Sequence, residues 1–319
     1  MIAIRKLRKV REDLAQHRRE LHVRCLFVES NARAYQELEK AVADVRDLEI
    51  TALHGKFANL VPELVERTRS SFALTFIDPT GWTGFPLHAI APLLRQQGEV
   101  LINFMFDFVN RFRGDARERT VASFDDLFGG SGWNAAAGDE DAMLDLYQQR
   151  LKDTCEFTYA TRASILKPTS DRTYFHLVYA TRHWKGLQVF RGIEKKLLRL
   201  EDQVRSDAKQ DARIARKRQQ ELFRDADAGG VSPRLAERQR NERRSVDALL
   251  QLLRARSPRS YEEAIAVMLE IPLVDESKGK SLMMEQRDRR KPFIDGMKPR
   301  RRLPHEGCTL RLSDSPRDA

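Results

Sequence analysis

Short apolar runs alternate with longer amphipathic segments through the first hundred residues of the chain. The apolar runs, rich in Val, Ile, Leu and Phe, span 23–28, 48–53, 72–77 and 99–104. Segments with a helical repeat precede and separate them, over 5–20, 31–45, 58–69 and 85–96. Asn31 or Ser30 is placed to cap the second of these helices. This alternation of helices with strands that are apolar along their length predicts a parallel sheet covered on both faces.

The alternation stops at residues 110–150, which predict an insertion made of a loop and short helices. Two extended segments follow, at 154–166 and 173–181, and the short gap between them suits an antiparallel hairpin. A parallel sheet that ends in an antiparallel pair is a mixed sheet, which is common in large α/β domains.

The last third of the chain predicts a long helix and then a small separate unit. A charged helical stretch covers 187–226, and Gly229, Gly230 and Pro233 end it. Further helices are predicted at 234–254, at 261–269 behind a capping box of Ser260 and Glu263, and at 276–290. Extended pieces at 291–312 complete a pattern typical of a small winged helix. We therefore predict a methyltransferase-like α/β domain over 1–190, a helical linker over 191–233 and a winged-helix-like domain over 234–319.

The net charge of +10 is concentrated in the C-terminal part of the chain. Residues 1–190 carry 26 basic and 25 acidic side chains, whereas residues 191–319 carry 31 and 22. Such an excess favours a polyanionic partner, nucleic acid first, although arginine-rich helices are often only solvated faces.

Cysteine content and hydropathy indicate a cytoplasmic protein. Three Cys in 319 residues supply neither a disulfide framework nor a Cys-rich zinc scaffold. No apolar run approaches the roughly 18–20 residues that a membrane span requires, and the first residues lack the pattern of a secretory signal. The seven His residues show no metal-ligand spacing with the Cys, and the chain contains no phosphate-binding GxxxxGK[ST] loop or Gly-x-Ser-x-Gly elbow.

The residues that follow each predicted strand are the candidates for chemistry, because parallel α/β sheets bind ligands at the carboxyl ends of their strands. These positions hold Glu29, the segment 55–57, the segment 78–82 and Asn103. A carboxylate such as Glu29 can accept hydrogen bonds from two ribose hydroxyls. The alternative is an ordinary acidic residue at the end of a strand.

The segment Asp78-Pro79-Thr80-Gly81-Trp82 is the sharpest of these features. It resembles the Asp-Pro-Pro-Tyr loop of amino-methyltransferases, which holds an exocyclic amine and stacks an aromatic ring on a flipped base. Here Thr80 replaces the second Pro and the aromatic residue comes one position later. The alternative is a tight turn with a hydrophobic plug.

Several motifs together resemble the three-Cys-motif partner (TcmP) family. They are the segments 76–82 and 99–104, Phe128-Gly129 with Trp133, Tyr179-Ala180-Thr181 with Lys185-Gly186-Leu187, and the segment 261–299. The resemblance implies a Rossmann-like class I S-adenosylmethionine-dependent methyltransferase fold with a winged-helix-like C-terminal domain. It also implies a protein partner that carries three cysteines.

The resemblance also implies which residues would form the site. Glu29 would bind the ribose, Lys56 and Phe57 the edge and face of the adenine, and Asp78, Pro79 and Trp82 the methyl acceptor. The family's first strand and its Asp-x-Phe-Ala-Gly-x-Gly-like loop have no counterpart before residue 23, so we expect a start codon placed too far downstream or a real truncation.

Three functions follow as hypotheses. The first is a methyltransferase-like protein that uses S-adenosylmethionine to modify a nucleic-acid base or a similar amine. The second is a non-catalytic binding protein that contacts nucleic-acid phosphates. The basic side chains expected to do so are Lys278, Lys280, Arg287, Arg289, Arg290, Lys298, Arg300, Arg301 and Arg302. The third is binding of a protein partner through the helix at 187–226. The alternative is a solvated helix that only supports the two domains.

Overall fold

The chain is an α/β protein with mixed sheets, as the sequence predicts. A computed structural model describes residues 2–79, 81–105, 117–167, 172–217, 233–288, 292–297 and 302–312. Nine strands and ten α-helices lie within these ranges.

The first two strands form a parallel pair of their own. Helix α1 (Ile2–Gln16) precedes β1 (Arg24–Glu29), and α2 (Ala32–Val42) connects β1 to β2 (Glu49–His54). The Asn31 side chain accepts a hydrogen bond from the backbone N–H of Ala34 at 3.0 Å, which confirms the predicted cap.

A second sheet has the strand order β3-β4-β6-β5. Its strands are β3 (Ala73–Ile77), β4 (Gly98–Phe104), β5 (Tyr159–Leu166) and β6 (Thr173–Thr181). Strands β3 and β4 run parallel, whereas β4–β6 and β5–β6 are antiparallel, which confirms the predicted hairpin and mixed sheet.

Two predictions about these strands are wrong. The four parallel strands belong to two sheets rather than one, and β3 is not covered on both faces, since Leu74 and Phe76 are 65% and 57% exposed. The first strand of the hairpin begins at Tyr159 instead of residue 154. Residues 154 and 155 belong instead to a helix, which ends where Glu156 adopts a left-handed conformation.

Four helices enclose the larger core, which lies on one face of the second sheet. They are α3 (Phe57–Thr68), α4 (Leu87–Leu94), α5 (Glu118–Phe128) and α6 (Glu140–Cys155). The core is rich in buried aromatic rings, namely Phe104, Phe124, Phe128, Trp133 and Tyr147. The prediction that the 110–150 insertion contains helices is therefore confirmed. However, α6 is 16 residues long, and residues 110–116 lie outside the described ranges.

The long helix and the C-terminal elements build a second core on the opposite face. Helix α7 (Trp184–Lys217) is followed by α8 (Pro233–Ala255), α9 (Tyr261–Leu269) and α10 (Glu276–Asp288). A small antiparallel sheet pairs β7 (Arg259–Ser260) and β8 (Pro292–Asp295) with β9 (Thr309–Leu312). The predicted capping box is confirmed, because Ser260 and Glu263 each accept the other's backbone N–H. In the described part of the chain, every helix is too short or too polar to cross a bilayer.

The guanidinium of Arg191 joins the second sheet to the C-terminal elements. It lies fully buried on α7 and donates to the carbonyl of Arg162 in β5, to the carbonyls of Leu269 and Glu270 after α9, and to the Thr161 hydroxyl. Its charge is balanced by Glu194, whose Oε2 lies 2.7 Å from Arg191 Nη1. Burial lowers the pKa of Arg191, and the adjacent carboxylate opposes that shift.

We expect Arg191→Met to destabilise the protein by about 3–5 kcal/mol in urea unfolding, because it leaves the buried carboxylate of Glu194 without its cationic partner. The double variant Arg191→Met with Glu194→Leu removes both charges and should recover most of that loss. As a control, Arg199→Met changes an exposed arginine on the same helix and should cost no more than about 0.5 kcal/mol. Equal stability of Arg191→Met and the control would contradict the role given to this group.

Candidate functional site

Glu29 ends β1 in a position fixed by the turn into α2. Its backbone carbonyl accepts from the N–H of Gly55, which extends the pairing with β2, and its Oε1 accepts from the N–H of Asn31 at 2.7 Å. Glu29 Oε2 has no hydrogen-bond partner among the described residues. One carboxylate oxygen therefore stays able to accept from a ligand at this edge.

Lys56 and Phe57 follow β2 on the same edge. Lys56 is exposed and occupies the N-cap position of α3, where its side chain makes no capping hydrogen bond. Phe57 is half-buried and packs against the larger core. Beside them the rings of Tyr35 and His54 stack with centroids 4.9 Å apart, so aromatic surface extends along this end of the β1–β2 pair.

Asp78 and Asn103 form a hydrogen-bonded pair at the carboxyl ends of β3 and β4. Ile77 and Ile102 are register partners, so the next residue of each strand meets the other, and Asn103 Nδ2 donates to Asp78 Oδ1 at 2.7 Å. This bond sets the amide orientation and directs Asn103 Oδ1 away from the carboxylate. That oxygen is buried and has no hydrogen-bond partner among the described residues.

An unpaired buried acceptor is energetically costly, and such groups are concentrated where a ligand or water completes the hydrogen bonding. The exposed carboxylate of Asp78 adds a second acceptor beside it. The exposed Asp78 carboxylate is thus the acceptor that a ligand amine can reach, and the Asn103 amide fixes its orientation.

Trp82 lies in the turn after β3 and packs inward. Its ring stacks on Phe124 with centroids 5.6 Å apart and planes inclined by 7°, and its Nε1 donates to Ser123 Oγ at 3.0 Å. Gly81, with a φ of +116°, allows the chain to turn there. The placement of Trp82 therefore agrees with the alternative given above, a tight turn with a hydrophobic plug. Pro79 is half-buried beside Asp78, and Thr80 lies outside the described residues.

The predicted site residues thus form two groups at the carboxyl ends of the strands. Glu29 meets the turn that carries Lys56 and Phe57, whereas Asp78 meets Asn103. Among the described residues, no hydrogen bond joins the first group to the second.

The predicted phosphate-binding residues are only partly described. Lys278 Nζ lies 3.0 Å from a carboxylate oxygen of Glu242, and Lys280 Nζ lies 2.7 Å from one of Glu276. Arg287 and Arg302 are exposed. The other predicted residues, Arg289, Arg290, Lys298, Arg300 and Arg301, lie outside the described residues.

One further polar cluster lies near this edge, and no motif in the sequence predicted it. His176 in β6 lies 3.0 Å from the Ser164 hydroxyl through Nδ1 and 2.7 Å from Glu140 Oε1 through Nε2. The three residues come from three elements, so no short motif contains them. They join the hairpin to the first turn of α6.

Comparison of the chain with protein-family models, with curated proteins and with solved structures gives no match. The resemblance to three-Cys-motif partner proteins therefore rests on the sequence motifs alone.

The Asp78–Asn103 pair predicts a specific pattern of stabilities. Asn103→Asp replaces a hydrogen bond by two adjacent carboxylates and should destabilise the protein by about 1 kcal/mol at neutral pH. The exchange variant Asp78→Asn with Asn103→Asp keeps one amide and one carboxylate and should regain stability. Thermal unfolding at neutral pH measures both variants. A double variant that is less stable than Asn103→Asp alone would contradict the pairing.

Proposed function

We propose that this protein is an S-adenosylmethionine-dependent methyltransferase-like protein that acts on an amine of a nucleic-acid base or a similar compound. The observation that carries the proposal is the Asp78–Asn103 pair. It presents an exposed carboxylate, oriented by the Asn103 amide, at the carboxyl ends of parallel strands.

The order of the strands supports a Rossmann-like interpretation of the fold. When the β1–β2 pair and the four-stranded sheet are taken as one layer, the order is β2-β1, a gap, and then β3-β4-β6-β5, with only β6 antiparallel to its neighbours. The candidate residues all follow strands on one edge of this layer, and ligands of open α/β sheets bind at that edge.

Glu29, Lys56 and Phe57 are suited to hold the nucleoside part of the cofactor. The Oε2 of Glu29 can accept from a ribose hydroxyl, while the aromatic surface beside Lys56 suits an adenine. When bound, S-adenosylmethionine would supply an electrophilic methyl group on a sulfonium.

The part of this chain in the reaction is to position the acceptor. Asp78, with the backbone carbonyl of Pro79, would accept the N–H groups of the amine. The nitrogen lone pair would then be directed at the methyl carbon. Orientation and fixed dipoles of this kind are the main sources of rate enhancement in such group transfers.

The C-terminal elements support a winged-helix-like interpretation. Three helices and a small three-stranded sheet follow one another as α8, β7, α9, α10, β8 and β9. Nucleic acid is the proposed acceptor because the excess positive charge lies in this part of the chain. Lys278 and Lys280 lie beside the carboxylates of Glu242 and Glu276, so a phosphate would compete with these carboxylates for the two lysines.

Isothermal titration calorimetry with S-adenosylmethionine tests the proposal directly. We expect Glu29→Gln to weaken binding about tenfold, or about 1.4 kcal/mol, because a neutral amide is a poorer acceptor for ribose hydroxyls. Glu37→Gln changes an exposed glutamate on α2 and serves as the matched control. Absence of binding heat with both S-adenosylmethionine and S-adenosylhomocysteine would overturn the proposal.

Protein-partner binding through α7 is the second candidate function. One side of this helix is buried against the C-terminal elements, but a second stripe is exposed and apolar. Its members recur every three or four residues, as in a coiled-coil seam. They are Val189, Ile193, Leu197, Leu200 and Val204. This stripe favours a helical protein partner, such as the three-Cys-motif protein, over a purely solvated brace.

The stripe can be tested by co-expression with a three-Cys-motif protein encoded nearby. We expect Ile193→Lys to abolish co-elution on size exclusion, because a charge in the centre of an apolar seam is desolvated without a partner. Leu235→Lys changes an exposed leucine on α8 and should leave the complex intact. Equal loss in both variants would indicate non-specific association.

A further inference from the structure

Ser164, His176 and Glu140 form a hydrogen-bonded chain that the proposed methyl transfer does not use. His176 Nδ1 lies 3.0 Å from Ser164 Oγ, and His176 Nε2 lies 2.7 Å from Glu140 Oε1. A carboxylate can only accept, so in a neutral imidazole Nε2 carries the hydrogen and Nδ1 accepts from the serine hydroxyl. A hydroxyl, an imidazole and a carboxylate in that order are the groups that activate a serine as a nucleophile.

Strand register fixes the position of the imidazole. His176 in β6 is the register partner of Ser164 in β5 and of Phe104 in β4, so its ring lies between them on one face of the sheet. His176 is 2% exposed, and Phe104 is buried to the same degree in the larger core. Successive residues of a strand face opposite sides, so Asn103, which binds Asp78, lies on the other face. The two sets of side chains are therefore separate sites.

The first turn of α6 fixes the carboxylate. Its N-cap residue, Asp139, accepts from the N–H groups of Asp141 and Ala142, which sets the start of the helix beside His176. The side chain of Glu140 is 41% exposed, whereas that of His176 is 3% exposed. The chain of hydrogen bonds therefore joins a buried base to residues at the surface. Its hydroxyl belongs to a half-buried residue, so a small molecule can approach it.

The backbone of Ser164 supplies a second element of such a site. Strand β5 is the outer strand of its sheet, and the Ser164 carbonyl accepts from Arg234 Nη2 on α8 at 3.0 Å. Two residues earlier, the Arg162 carbonyl likewise points outward and accepts from Arg191. In an antiparallel strand the N–H and carbonyl of one residue point to the same side, so the Ser164 N–H points outward as well. Among the described residues, no side chain or loop carbonyl accepts from this N–H.

We propose that Ser164 is the nucleophile of an acyl-transfer site that hydrolyses small carboxylic esters. Ser164 Oγ bonds to the carbonyl carbon while its proton passes to His176 Nδ1, and the carbonyl oxygen takes up the negative charge. Collapse of this intermediate breaks the bond to the alcohol oxygen, which leaves with the proton from Nδ1. Water then repeats both steps on the acyl-serine, releases the acid and restores Ser164.

Each of the other groups has one part in this reaction. His176 is the general base and then the general acid, while Glu140 is a positioning residue that holds the tautomer and stabilises the imidazolium. The Ser164 N–H and the guanidinium of Arg234 are the donors for the negative oxygen. The two ring nitrogens exchange the places they have in serine proteases, but the direction of proton transfer is the same. The proposal does not rest on methyl transfer.

A fluorophosphonate tests the nucleophile in the full chain. Its reaction forms a bond from the serine oxygen to phosphorus and releases fluoride, and peptide mapping by mass spectrometry locates the label. We expect one label per chain, at Ser164, and none in Ser164→Ala. Hydrolysis of p-nitrophenyl acetate should be lost in the same variant. Ser70→Ala changes an exposed serine after α3 and should leave both reactions unchanged.

A second variant tests the hydrogen-bonded chain. Glu140→Gln should lower the maximal labelling rate about tenfold, because a neutral amide stabilises the imidazolium poorly. The probe concentration that gives half the maximal rate should stay the same, and thermal unfolding shows whether the variant is folded. Glu118→Gln changes an exposed glutamate in the first turn of α5 and is the matched control.

Four outcomes would overturn the proposal. They are absence of a label at Ser164, equal labelling of exposed serines, ester hydrolysis that persists in Ser164→Ala, and a label at Ser164 without ester hydrolysis. Equal labelling rates of Glu140→Gln and Glu118→Gln would overturn the role of Glu140. Calorimetry with S-adenosylmethionine reports on other residues, so failure of cofactor binding would leave these results intact.

Discussion

Strand β4 is the element on which both cores depend. Successive side chains of a strand point to opposite faces, so Val100, Ile102 and Phe104 enter the larger core while Leu101 packs on the second. Pairing with β3 on one side and β6 on the other satisfies its backbone groups, so its apolar side chains can be buried without leaving polar atoms unpaired. The candidate acceptor pair lies where this strand ends, and the ladder therefore positions the site as well as the cores.

The sheet is complete on one side of β4 and incomplete on the other. Beyond β6, strand β5 is covered by α6 and α7, and Arg191 connects it to the C-terminal elements through carbonyl groups and Glu194. Beyond β3, no described strand continues the ladder, and β1 and β2 form a separate parallel pair.

The candidate site reflects this division. Asp78 and Asn103 are held together by the pairing of β3 with β4 and by their own hydrogen bond. Glu29 and its neighbours are held by the β1–β2 pair alone. A ligand that contacts both groups would bring them into one site, as the proposed cofactor and the proposed amine require.

The sequence alone determined the local structure well. The apolar runs, the cap at Asn31, the capping box at Ser260 and the antiparallel hairpin follow from residue type and spacing over a few positions. Sequence position also identified Glu29, Asp78 and Asn103 as residues that follow strands. Only the tertiary structure decided that Trp82 packs on Phe124, that Asn103 keeps an unpaired oxygen, and that β1 and β3 do not meet. These outcomes depend on contacts between residues that are tens of positions apart, which hydrophobic periodicity cannot encode.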